Sequence, residues 1–227
     1  MSKLSKNGLS KISNKTVIFK FKNETIAIAV NEWMENPEKA EAKYGHISKW
    51  DTSQVTTMNR LFFKATLFNE PIDEWDMSNV TDMSYMFSNA TTFNQSIGNW
   101  DVSKVTTMKY LFSNATTFNQ PIEEWDVSNV RNMESMFSAS VFNQLLNSWD
   151  VSNVLNMDRM FAFSNFNQDI GSWDVSSVND MSRMFRSAFA FNQNLSSWSE
   201  NVFDFFEFSY NTPQWILAKP NFINSTS

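Results

Sequence analysis

Apolar side chains recur along this chain at fixed places in a unit of 24 or 25 residues. One unit reads Ile122-x-x-Trp125-x-Val127-x-x-Val130-x-x-Met133-x-x-Met136-Phe137, with polar residues filling nearly every other place. Trp125-x-Val127 has the period of two that predicts a short strand, its two apolar side chains inward and Asp126 outward. Val130, Met133, Met136 and Phe137 stand at i, i+3, i+6 and i+7, which predicts one face of a two-turn helix capped by Ser128 or Asn129.

Seven tryptophans mark the units: Trp50, Trp75, Trp100, Trp125, Trp149, Trp173 and Trp198, the first six followed by Asp. From the Phe of each Phe-Asn pair to the Phe closing the next Met-Phe or Leu-Phe pair, the separation is constant at nineteen residues, as from Phe68 to Phe87 and from Phe166 to Phe185. Length varies only between those blocks, where a surface loop tolerates it. A lone unit cannot bury its own apolar face, so successive units must stack and form columns. Ten of the thirteen Met lie in an M-x-x-M ladder, with Leu61 and Leu111 in its two substituted places, and twelve of the twenty-two Phe form two further columns. These Met and aromatic stripes are core rather than a cofactor box.

The predicted fold is an α/β leucine-rich-repeat solenoid. It is a right-handed coil with short parallel β-strands on one face and short helices on the other, capped at both ends. Residues 1–15 form a disordered tail, 16–45 an N-terminal strand and helix cap, 46–199 about six to seven coils, and 200–227 a C-terminal cap and tail. Within the first cap, "TVIFKF" at 16–21 alternates like a strand. Ile26, Ala29, Val30, Trp33 and Met34 then follow helical spacing behind Thr25 as N-cap; Asn36-Pro37 opens a second short helix that Gly45 ends.

Composition removes several functions. The 227 residues hold no Cys and one His, His46, which excludes disulfides, thiolate metal sites, cysteine nucleophiles and multi-histidine metal sites. The net charge of −6 divides into +3 over residues 1–45, −8 over 46–200 and −1 beyond. A negative repeat body repels phosphate, so no nucleic acid is expected as partner. The longest plainly apolar run is "IAIAV", too short for a transmembrane segment. The N-terminus has no apolar h-region and the chain no lipobox Cys, so an intracellular location is the default expectation. No G-x-S-x-G, Walker loop or dinucleotide-binding glycine pattern is present; the chain is expected not to be an enzyme, with no catalytic residues, cofactor or bound metal.

The repeated "FNQxIxxWDVSxVxxMxxMF" resembles the leucine-rich repeats of BspA-like surface proteins and mycoplasma-type lipoproteins, over about residues 46–200. That resemblance implies a coiled repeat used for adhesion or protein binding. The expected function is therefore a non-enzymatic protein-interaction module, with unidentified protein partners and a monomeric state. The alternative is a cell-surface adhesin, and a more distant one a strip that binds cations or basic ligands.

With Trp and Val inward, the open face shows a column of Asp51, Asp76, Asp101, Asp126, Asp150 and Asp174, flanked by the variable Lys49, Glu74, Asn99 and Glu124. These are the candidate binding residues. Carboxylates stacked at ~4.8 Å repel by about 1 kcal/mol per pair in water, so either Ser hydroxyls and turn N–H groups or a bound cation must offset them. The Asn of each Phe-Asn pair, such as Asn94 and Asn119, is read as a stacked amide ladder. Specificity is expected from the places where coils differ: the variable flank and the loops at 63–67, 88–92, 113–117, 138–141, 162–165 and 186–190.

Overall fold

The structure, a computed structural model, describes residues 19–198 and 204–222. The expected tail at 1–15, the first half of the strand at 16–21 and parts of the expected C-terminal cap lie outside those residues. Two α-helices open the described chain: α1, Asn23–Glu35, and α2, Pro37–Tyr44, followed by a single 3-10 turn at Ile47–Lys49. Asn36 caps α2 by accepting the Lys39 N–H, Pro37 fills its first turn, and Gly45 leaves it at φ 80°, where a side chain would be strained. Thr25 is not the N-cap of α1. That place falls to Lys22, and the Thr25 hydroxyl accepts the Lys22 N–H from the third helical position.

Beyond residue 50 the coils stack as the columns require. Ile97, Trp100, Val102, Val105, Met108, Leu111, Phe112 and Phe118 are all at most 4% exposed, and the equivalent residues of the other central coils match them. Phe rings stack nearly parallel from coil to coil: Phe87 and Phe112 are 5.7 Å apart at 1°, Phe93 and Phe118 6.0 Å at 9°. At the two ends the rings turn edge-on. Trp33 meets Trp50 at 90°, and Trp215 meets Phe191 at 78°. Edge-to-face contact closes a column that parallel stacking would leave open.

The α/β leucine-rich-repeat solenoid is nevertheless not what this chain forms. Among the described residues there is no β-strand, only isolated parallel bridges, and no α-helix after Tyr44. The bridges Thr57–Asp82–Thr107–Asn132–Asn156–Asp180–Asp204 run through the segment predicted as helix; the one bridge beside a column tryptophan, Lys20–Asp51, joins the first coil to the segment before α1 and not to another coil.

The destination of the backbone N–H groups explains both corrections. In the second coil Met83, Tyr85, Phe87 and Asn89 donate to Thr107, Lys109, Leu111 and Ser113 of the next coil, at 2.8–3.1 Å. The intervening Met86, Ser88 and Ala90 donate three residues back within their own coil, at 3.0–3.2 Å. A helix would turn every N–H onto its own axis. It would also be ~10 Å across, twice the ~4.8 Å at which backbones pair, so helices in register cannot be bonded coil to coil. The result is a ladder of tight turns in which alternate amides point along the stack.

Aiming those amides requires left-handed backbone twice per coil: Arg60 and Lys64, Tyr85 and Asn89, Tyr110 and Asn114, Ser135 and Ala139, Arg159 and Phe163, Arg183 and Ser187, Glu207 and Asn211, all at φ 52–61°. None is glycine. Each costs about 1 kcal/mol, offset by the hydrogen bonds and burial it permits.

On the Trp side the coils are joined differently. Neighbouring indoles such as Trp100 and Trp125 stack 6.4 Å apart at 7°, and the side chain links one coil to the next. The Trp125 Nε1–H donates to Ile97 O at 3.0 Å, and Trp75, Trp100, Trp149 and Trp173 repeat the bond to the preceding coil.

Candidate functional site

Two rows of the surface bear on function, the Asp column beside the tryptophans and the outer side of the turn ladder. In the first, each Asp opens a turn. Asp101 Oδ1 accepts the Ser103 N–H at 3.1 Å and the Ser103 hydroxyl at 2.6 Å. Asp76, Asp126 and Asp150 do the same with Ser78, Ser128 and Ser152, and Asp51 with Ser53; Asp174 accepts the Ser176 N–H at 3.0 Å. Ser128, expected to cap a helix, is thus spent on Asp126.

Hydrogen bonds from the serine two residues on hold Asp51, Asp101, Asp150 and Asp174 below the usual carboxylate range. At Asp150 the neighbouring Asp174 pushes the other way and loses. At Asp150 hydrogen bonding therefore outweighs the repulsion of its neighbour, and Lys20 and Lys104 add their attraction at Asp51 and Asp101. Among the described residues no group of three or more His, Asp or Glu converges on a metal-sized point.

The flanking candidates are scattered in their engagements. Lys49 pairs with Glu74, Asn99 Nδ2 donates to Asp73 O at 3.1 Å, and Glu124 is exposed. Lys20 reaches Asp51 at 3.4 Å. His46 bonds Ser48 Oγ at 2.8 Å and packs edge-on against Trp33, a joint between the helices and the coils. The Asn of each Phe-Asn pair forms a ladder: Asn94 Oδ1 accepts the Asn119 N–H, and Asn119 Oδ1 accepts that of Asn143.

The turn ladder carries what the Asp column lacks. Its first left-handed position reads Arg60, Tyr85, Tyr110, Ser135, Arg159, Arg183, Glu207 along the stack. Tyr85 and Tyr110 stack at 4.7 Å and 6° on the outside, and the Arg60 guanidinium lies 4.8 Å from the Tyr85 ring. Loop residues border this row: Phe63, Phe163 and Phe189 are 38%, 53% and 52% exposed. Arg183 and Arg186 both pair with Glu207, and Arg159 with Asp158. Asp158 is buried; that burial, with Asp180 and Glu134 nearby, raises its pKa to about 6 against the opposing pull of Arg159.

Sequence reasoning placed the loop residues but not the Arg and Tyr row, because the residue type at that position changes from coil to coil and so marks no column. The signal for the turns themselves was present. Val127, Val130, Met133 and Met136 are spaced by three without drift, the period of i-to-i+3 turns rather than of an α-helix.

Residues 31–141 and 122–215 each match the family described as Mycoplasma protein of unknown function, DUF285. The chain belongs to the DUF285 family. The two matches share residues 122–141, so DUF285 is itself a multi-coil pattern that this chain carries in overlapping copies. No curated protein and no solved structure matches the chain. Among the described residues no helix is long and apolar enough to cross a membrane.

Proposed function

We propose that this DUF285 chain is a non-enzymatic protein-interaction module that binds through the outer side of its turn ladder. The observation that carries this is the Arg and Tyr row itself. Tyr and Arg are the residue types that dominate binding hot spots, and here they vary from coil to coil while the residues that build the coil repeat. The Asp column and its flank serve, in this reading, chiefly to hold the turns.

Site-specific photocross-linking in the source cell tests it. Benzoylphenylalanine at Tyr110 or Phe163 is expected to capture protein adducts that the same group at Glu124 does not. Equal capture from both faces, or capture from Glu124 alone, overturns the assignment. The repeat's resemblance to BspA-like proteins supports a second reading, a cell-surface adhesin using the same row. Protease shaving of intact cells separates the two: loss of the protein supports the adhesin, and retention the internal module.

A further inference from the structure

One end of the turn face differs from the rest. Arg60, Lys64 and Lys109 make no ion pair among the described residues, on a chain whose net charge is −6. At the other end, Arg159 pairs with Asp158, and Arg183 and Arg186 share Glu207. The unpaired cations rest against aromatic rings alone, whereas Arg183 and Arg186 combine such contacts, to Phe206 and Tyr210, with their ion pairs. Arg60 lies 4.8 Å from Tyr85 and 5.8 Å from Phe63, Lys64 5.1 Å from Phe63, and Lys109 5.9 Å from Tyr85. Of the acids on this stretch of the face, Asp82 accepts from Asn59 Nδ2 at 3.1 Å, and Glu134 accepts the Tyr110 hydroxyl at 2.9 Å.

We propose that this patch, centred on Arg60, Tyr85 and Lys109, binds an acidic segment of a partner protein. Ring contact fixes a guanidinium in place without using its N–H fork, which remains free for a carboxylate. Arg60 and Lys109 stand two coils apart, about 10 Å, and a peptide in the polyproline II conformation, with three residues per turn and ~3.1 Å per residue, covers that distance in about three residues and turns every third side chain to one side. The segment recognised therefore presents carboxylates at roughly every third position, with its backbone crossing the Tyr85 and Tyr110 rings. Such binding is weak and salt-sensitive, because the patch is solvent-facing. The proposal rests on the turn face being the interaction surface and specifies what part of it recognises.

The test uses the full chain and three probes followed by amide NMR shifts. They are an acetylated dodecapeptide with Glu at every third position, its Gln counterpart, and vesicles containing phosphatidylserine. Saturable shifts at Arg60, Tyr85 and Lys109 with the Glu peptide, absent with the Gln peptide and weakened by salt, are expected. The double variant Arg60→Gln/Lys109→Gln is expected to weaken binding by about fivefold or more, and Lys43→Gln, on α2, to leave it unchanged. Arg60→Gln alone serves if the double variant fails to fold. Equal response to both peptides, unchanged affinity in the variants, or binding to vesicles but not to the Glu peptide overturns the proposal. Adducts at Phe163 persisting alongside such a failure would leave the wider reading of the face intact; losing both would remove it too.

Discussion

At the scale of single residues, carboxylates decide how this chain responds to pH, and they act in opposite directions. Asp158, with a folded pKa of about 6, holds its proton more tightly folded than unfolded. Its contribution is complete below about pH 4 and is lost as pH rises through about 6. Asp158→Asn is thus expected to raise stability near neutral pH by about 1 to 2 kcal/mol and to flatten the stability profile between pH 4 and 6, read by thermal melts across that range. Asp51, Asp101, Asp150, Asp174 and Asp204 have depressed pKa values. They stabilise the fold above about pH 4 and lose that contribution only as pH falls through their lowered values.

At the scale of the element, the turn ladder replaces a helix, and one substitution changes sign between the two. Ala139 sits at φ 54°. In a helix, Ala→Gly costs about 1 kcal/mol; at a left-handed position it removes strain. Ala139→Gly is expected to raise the midpoint of chemical unfolding, and a lowered midpoint would favour the helix. The sequence hid this element for a physical reason. Left-handed turns are usually announced by Gly or Asn, whereas here Asn stands only at Asn89, Asn114 and Asn211, and Arg, Lys, Tyr, Ser, Ala, Phe and Glu occupy the other places. The period of three that would have revealed them fits one face of a short helix nearly as well. What burial alone dictates was legible: the repeat length, the inward Trp, Met and Phe columns, and the Asn ladder. Which backbone bonds join the coils was not, because main-chain amides carry no side-chain signature.

At the scale of the whole molecule, each coil is held by its neighbours, so an interior defect should cost more than a terminal one. The tryptophans allow a controlled comparison. Trp125 is buried and donates to Ile97 O, whereas the equally buried Trp198 Nε1 has no partner among the described residues. Trp125→Phe removes indole area and the bond to Ile97 O, which keeps the Trp100 N–H at 3.2 Å, an expected loss of about 2 to 3 kcal/mol. Trp198→Phe loses area but no bond and is expected to cost less, by about 1 kcal/mol. Denaturant unfolding of the two variants checks the order.

The same stacking that makes the coils interdependent holds the outer Arg and Tyr row in register, so the functional reading depends on the direction of a few amides. Scalar couplings across hydrogen bonds, measured between backbone N and C′ on the labelled full chain, report that direction atom by atom. Couplings from Tyr85 N to Lys109 C′ and from Phe87 N to Leu111 C′ are expected. Couplings from those amides to carbonyls four residues earlier in their own coil would contradict the turn ladder and the face built on it.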